Sequence, residues 1–133
     1  METRKYVAAD KKRCGTHNCA QAVTCTYRDL VGLSEQTAVD MAGAFGSGLG
    51  GRDGTCGALV GAGIIVGLVT KDRILARSRM NQIMTRFQER NGATQCKFLM
   101  GLDTGTPLRD CNDCVADASE FLEEILAESA EHQ

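Results

Sequence analysis

Apolar residues along this chain recur at spacings of three and four and are broken by glycine, a pattern that predicts helices joined by tight turns. Asn18 can cap a helix running to about Val31, with Ala20, Val23, Tyr27, Leu30 and Val31 along one face. Gly32 ends it. Ser34 caps the next helix, whose stripe is Ala38, Met41, Ala42 and Phe45, and Thr37 stands where a full capping box has Glu or Gln. A glycine-rich loop, 46–54, follows. Thr55 is then placed to cap a helix to about Val69 that is apolar nearly all round, the kind found in the middle of a fold. Its Ile64, Ile65 and Val66 also suit a buried strand, but Gly57, Ala58, Gly61 and Ala62 favour a helix that lets a neighbour approach closely. A charged helix over about 71–90 turns Ile74, Met80, Ile83, Met84 and Phe87 inward and stops at Asn91-Gly92. A short helix begins near Thr94. The last runs over about 110–129 on Val115, Ala118, Leu122, Ile125 and Leu126. The predicted fold class is all-α: one domain over 1–133, a bundle of five to six helices with a Gly-rich loop before a buried apolar helix. Residues 1–13 form a polar N-terminal segment and 130–133 a frayed C-terminus.

Composition narrows the function classes. The chain has 133 residues, 43% hydrophobic and 24% charged, which fits a single domain with a modest core. The apolar stretch 57–69 is shorter than the roughly 20 residues of a spanning helix, so no membrane span is expected. The polar start carries no leader-like apolar run, which points to the cytoplasm. Aromatic residues make up 5% and Trp is absent, which argues against a base-stacking platform. The net charge of −2 is uneven, with +5 over residues 1–90 and −7 over 91–133. No basic stripe accompanies the positive part, so no nucleic-acid partner is expected. The acidic last helix is expected instead to lie on a basic face of the same domain or of a second copy. With the small-residue face around Gly57 and Gly61, that points to a homo-oligomer.

The unusual element is sulfur. Seven cysteines are too few for a disulfide-stapled secreted scaffold and odd in number, so metal binding or redox chemistry is the natural reading. Cys19, Cys56, Cys96 and Cys111 each fall in the first turn of a proposed helix, and Cys114 lies one turn beyond Cys111. A helix start offers unpaired N–H groups and partial positive charge, both of which favour thiolate. Cys25, mid-helix beside Val23, reads as a small buried hydrophobe, and Cys14 stays open between the two roles. Cys111-Asn112-Asp113-Cys114 is followed by Val115, so it is no haem-attachment site. It also lacks the setting of a thioredoxin motif and the second C-x-x-C of a zinc ribbon. Spacing leaves a tetrathiolate iron–sulfur or zinc site and dithiol exchange as alternatives. The match of 46–51 to G-x-G-x-x-G lacks a preceding strand, so the loop reads as a place for backbone to pass close to sulfur. Arg52 and His17 read as solvated loop residues, and His132 carries no signal.

Taken in order, Asn18-Cys19-Ala20-Gln21-Ala22-Val23, Ala44-Phe45-Gly46, Cys56-Gly57-Ala58-Leu59-Val60-Gly61, Cys96 and Cys111-Asn112-Asp113-Cys114-Val115 resemble a family of small redox-active cysteine proteins. It is the C_GCAxxG_C_C family, marked by a lone Cys, a CGAxxG-type motif and two further Cys, and the resemblance spans about residues 14–126. It implies four characteristic cysteines, here Cys19, Cys56, Cys96 and Cys114, with Cys111 as the alternative to Cys114. These are the redox-active candidates and equally the ligands of an iron–sulfur cluster, or of zinc, if one is held; the other option is no cofactor at all. Similar helical modules joined to haem domains imply an iron–sulfur centre. The reading is a small electron carrier with an unidentified redox partner protein. Its rivals are a zinc-binding module without turnover and an interaction protein with buried cysteines. If the four sulfurs share one site, they should lie within roughly 4–7 Å of one another beneath the loop 46–54, with Cys25 outside it.

Overall fold

The computed structural model describes residues 2–131, with side chains up to Ser129. The frayed end expected at 130–133 therefore lies, apart from the helical backbone at 130 and 131, outside the described residues, as does His132. The elements are α1 (Lys5–Arg13), α2 (Cys19–Thr26), a 3-10 turn (Arg28–Val31), α3 (Glu35–Met41), α4 (Gly57–Thr70), α5 (Arg73–Asn91), α6 (Cys96–Leu99) and α7 (Cys111–Glu131). The fold is all-α and single-domain. The described residues contain no strand, only an isolated antiparallel bridge between Thr55 and Gln95.

The apolar α4 is the hub, packed by α2, α5 and α7, while α1 lies across α7 and α2. Its small residues are used inside the chain. A Cβ on Gly61 would lie 2.7 Å from the Ala20 carbonyl oxygen and 3.0 Å from Val23 Cβ, so α2 crosses α4 nearly backbone to backbone. The homo-oligomer expectation thus draws no support from that face. Leu59, Ile65, Phe87, Val115, Leu122 and Ile125 fill the core around the crossing.

Several boundaries differ from expectation, each for a tertiary reason. The helix from Asn18 stops at Thr26 because Tyr27 is fully buried and its hydroxyl donates to Glu123 of α7. The chain then continues as the 3-10 turn. Thr55 is no cap, because it pairs with Gln95 and leaves Cys56 as the N-cap of α4. α4 is enclosed at its start but emerges by its last turn, where Gly67 and Val69 are exposed. Ile74, expected inward, is 75% exposed, since the first turn of α5 overhangs its neighbours. The polar segment 1–13 carries α1, which buries Ala8 and Ala9. Other local signals match: Asn18 forms a full capping box with Gln21, Ser34 accepts from the Thr37 N–H, and Gly92 (φ 82°) ends α5.

The acidic last helix lies on basic groups of its own chain. Buried Asp117 accepts from Arg90 (3.0 Å), Arg109 (3.0 Å) and Asn91 (3.1 Å). Glu120 meets Lys5 and Arg90, and Arg86 reaches Glu124 and Glu128. No described helix is long and apolar enough to cross a membrane.

Candidate functional site: a thiol cluster at converging helix starts

The starts of α2, α4, α6 and α7 converge on sulfur. The Asn18 side chain sets the α2 start by accepting from the Gln21 N–H (2.7 Å) while donating to the carbonyls of Ala42 (3.3 Å) and Gly43 (3.2 Å). This places Cys19 in the first turn with its sulfur against Gly57, where a Cβ would sit 2.3 Å from Cys19 Sγ. Only glycine after Cys56 leaves room for it. α7 begins at Cys111, the Asp110 carboxylate accepting from the Asn112 N–H (3.2 Å), and so brings Cys111 and Cys114 to the same end.

The loop 46–54 covers this end by an unusual route. Ser47 (φ 52°), Gly48 (φ 60°), Leu49 (φ 63°) and Gly50 (φ 89°) form one left-handed turn, closed by the Gly50 N–H on the Gly46 carbonyl (2.9 Å). Left-handed backbone costs a non-glycine residue about 1–2 kcal/mol, so Ser47 and Leu49 hold strain. The turn aims the Ser47 N–H at Cys19 sulfur and presses Gly48 against Cys96, whose Cβ would lie 2.6 Å from a Cβ on Gly48. Backbone bonds from Cys96 N–H to the Gly54 carbonyl (3.0 Å) and from Cys56 N–H to the Thr94 carbonyl (2.8 Å) fix Cys96 beside the other thiols.

The thiols meet as two polarised pairs. Cys111 hydrogen-bonds to Cys19 and, with the Ser47 and Ala20 N–H groups and the nearby Lys12 ammonium, brings the Cys19 pKa down to about 6 against the cost of burial. The same bond and burial hold Cys111 protonated. Cys114 likewise donates to Cys56. That bond lowers the Cys56 pKa, helped by the Ala58 and Leu59 N–H groups, which face its sulfur without reaching the geometry of a full capping bond. Cys114 is pushed far up by that bond and by burial. Cys96 belongs to neither pair. Burial first, and then charge on the adjoining Cys56 and Cys19, raises its pKa, and its S–H points at Met100 Sδ, 3.7 Å away.

Of the residues singled out in the sequence, Cys19, Cys56, Cys96 and Cys114 share this end, and Cys111 is the partner of Cys19 rather than a substitute for Cys114. Cys25 stands apart, buried within α2 with its pKa raised by burial. Cys14 is exposed after α1, and the His17 ring is paired with the Thr16 hydroxyl (2.7 Å). Arg52 is exposed at φ 68° and eases the Cys96 pKa only slightly. The sequence reading missed two contributors, the Ser47 N–H and Lys12. Glycine density marked the loop as backbone near sulfur, but no local signal tells which N–H turns inward or that the end of α1 reaches Cys19. Among the described residues no three His, Cys, Asp or Glu side chains are gathered to hold a metal ion. The thiols of this end are disposed as two pairs, Cys19 with Cys111 and Cys56 with Cys114, an arrangement suited to dithiol exchange.

Neither the curated proteins nor the solved structures include a match to the chain. Residues 17–125 do match a family described as "Putative redox-active protein (C_GCAxxG_C_C)", a span that takes in all five thiols of the converging helix starts. The chain belongs to that redox-active C_GCAxxG_C_C family.

Proposed function

We propose that the chain is a dithiol–disulfide electron carrier whose working pair is Cys19 and Cys111, exchanging with a redox partner protein in a reducing compartment such as the cytoplasm. One observation carries this reading. Cys19 and Cys111 face each other at the converging helix starts, Cys19 buried and Cys111 partly open to solvent, and this setting lowers the Cys19 pKa while raising that of Cys111.

That asymmetry supplies a direction for exchange. In the oxidised chain, a partner thiolate reaches the accessible Cys111 sulfur of the Cys19–Cys111 disulfide. A bond forms between the partner and Cys111 while the Cys19–Cys111 bond breaks, and Cys19 departs as thiolate. A thiol of low pKa leaves faster, and Cys19, near 6, is favoured in that role. The partner's second thiol then attacks its own sulfur in the mixed disulfide. Cys111 is released and takes the proton that the attacking thiol loses. Two electrons have passed from the partner dithiol to this chain, and the reverse sequence returns them.

The test is metal analysis and a visible spectrum of anaerobically purified protein, followed by disulfide mapping after treatment with glutathione disulfide. The expected result is colourless, metal-free protein that forms the Cys19–Cys111 disulfide and loses it again to a dithiol reductant. Iron with acid-labile sulfide, stoichiometric zinc, or failure of that disulfide to form would overturn the proposal.

A further inference from the structure

Beyond the outer pair, the geometry points to a second, interior dithiol, Cys56 and Cys114, that exchanges electrons with the outside only through Cys19. The site then stores four electrons as two dithiols and gives them up as two disulfides form. This inference rests on reading Cys19 and Cys111 as the working pair.

Cys56 is 5% exposed and Cys114 2% exposed, each walled by the core of α4 and α7, so an external disulfide has no approach to them. Cys19 lies between the two layers. Its sulfur pairs with Cys111 on one side and rests on the bare Cα of Gly57, the residue after Cys56, on the other. Cys19 and Cys56 are close enough for the charge of one to raise the pKa of the other. Cys96 is off this route, because its thiol is turned to Met100. Cys25 and Cys14 lie outside the cluster.

The transfer balances without an outside reagent. With Cys19–Cys111 oxidised, the Cys56 thiolate attacks Cys19 Sγ. The Cys19–Cys56 bond forms, the Cys19–Cys111 bond breaks, and Cys111 leaves with the electron pair. Cys114 gives its proton to Cys111 and, as thiolate, attacks Cys56 Sγ. The Cys56–Cys114 bond forms and Cys19 is expelled as thiolate. One thiolate and one thiol are consumed and one of each is produced. The outer pair, reduced again, is then free to take a second disulfide equivalent from the partner.

The experiment follows disulfides by quenched mass mapping while the reduced, anaerobic full chain reacts with excess glutathione disulfide. The wild-type chain is expected to lose four of the cluster's thiols and yield Cys19–Cys111 and Cys56–Cys114. In Cys19→Ser, where Cys56, Cys111 and Cys114 all remain, the Cys56–Cys114 disulfide should form roughly ten-fold or more slowly. In Cys114→Ser the outer pair should still oxidise, with a share trapped as Cys19–Cys56. Cys114→Ala is run beside it, because a hydroxyl at that buried place can unfold the chain. Formation of Cys56–Cys114 at the wild-type rate in Cys19→Ser, or wild-type oxidation that stops at one disulfide, would overturn the interior store and leave the outer pair standing. Loss of all Cys19 oxidation in a folded Cys114 variant would overturn the outer pair as well.

Discussion

At the seam between α5 and α7, Arg86, Arg90 and Arg109 meet Asp117, Glu120, Glu124 and Glu128 with their guanidinium groups still in contact with water. At the converging helix starts, two sulfurs of lowered pKa, Cys19 and Cys56, sit among buried groups and are met by thiols, backbone N–H groups and one lysine. Both regions gather charge, but solvent screens the first and is excluded from the second. The seam therefore works as a fastener of low value per pair, whereas at the cysteines a single hydrogen bond decides which sulfur carries the charge. Where the dielectric is low, glycine matters more than ionic partners, because only a missing Cβ lets backbone and sulfur come this close.

The sharpest way to break this contrast is to fill the glycine contacts. Gly61→Ala should cost about 1–3 kcal/mol in urea unfolding, since its Cβ would press on the Ala20 carbonyl with no flexible atom to yield. Gly57→Ala should cost a similar amount and also displace Cys19, slowing oxidation of the Cys19–Cys111 pair in the same protein. The seam has one comparable point. Asp117→Asn should cost about 2 kcal/mol, because this carboxylate is buried and serves three donors. Unfolding near the loss of a surface pair only, about 0.5 kcal/mol, would show that Asp117 is screened like its neighbours.

A smaller effect is expected from pH. The Cys19 pKa is lower folded, about 6, than the ordinary thiol value of 9.0, so the unfolded chain binds more protons between these values. Stability contributed by Cys19 is full above about 9 and is lost as pH falls toward 6, and Cys56 acts in the same direction. Cys111 and Cys114 are raised, so their contribution is full below 9 and declines above it. Urea midpoints should therefore rise from pH 6 to about 9 and then turn down, and Cys19→Ser should flatten the rising limb. The smallest effect belongs to Arg86→Ala, at most about 1 kcal/mol and weaker still in high salt, because both of its partners are exposed.

How much of this was legible in the sequence follows the range of the interactions. Asn18, Ser34 and Gly92 act on their own helices, so their signals could be read locally and the all-α class with them. The early end of α2 depends on Tyr27 reaching Glu123, and the loss of Thr55 as a cap depends on Gln95; neither contact has a local signature. At the site, the caps indicated which cysteines begin helices and so where sulfur would collect. They could not indicate pairing, because Cys111 and Cys114 leave the same helix face for different partners, a choice made by how α7 lies against α2 and α4.

Exchange at the proposed pair turns on Cys111 holding Cys19 as a thiolate inside the fold. That hold is read by ultraviolet thiolate absorbance against pH, taken as the difference between the wild-type chain and Cys19→Ser, and repeated in a Cys111→Ala background, which leaves no side-chain donor at that position. A Cys19 midpoint near 6 is expected, moving clearly upward when the Cys111 thiol is removed, since that hydrogen bond is the largest influence lowering it. A midpoint at the ordinary thiol value, or one near 6 that Cys111→Ala leaves in place, would overturn the pairing.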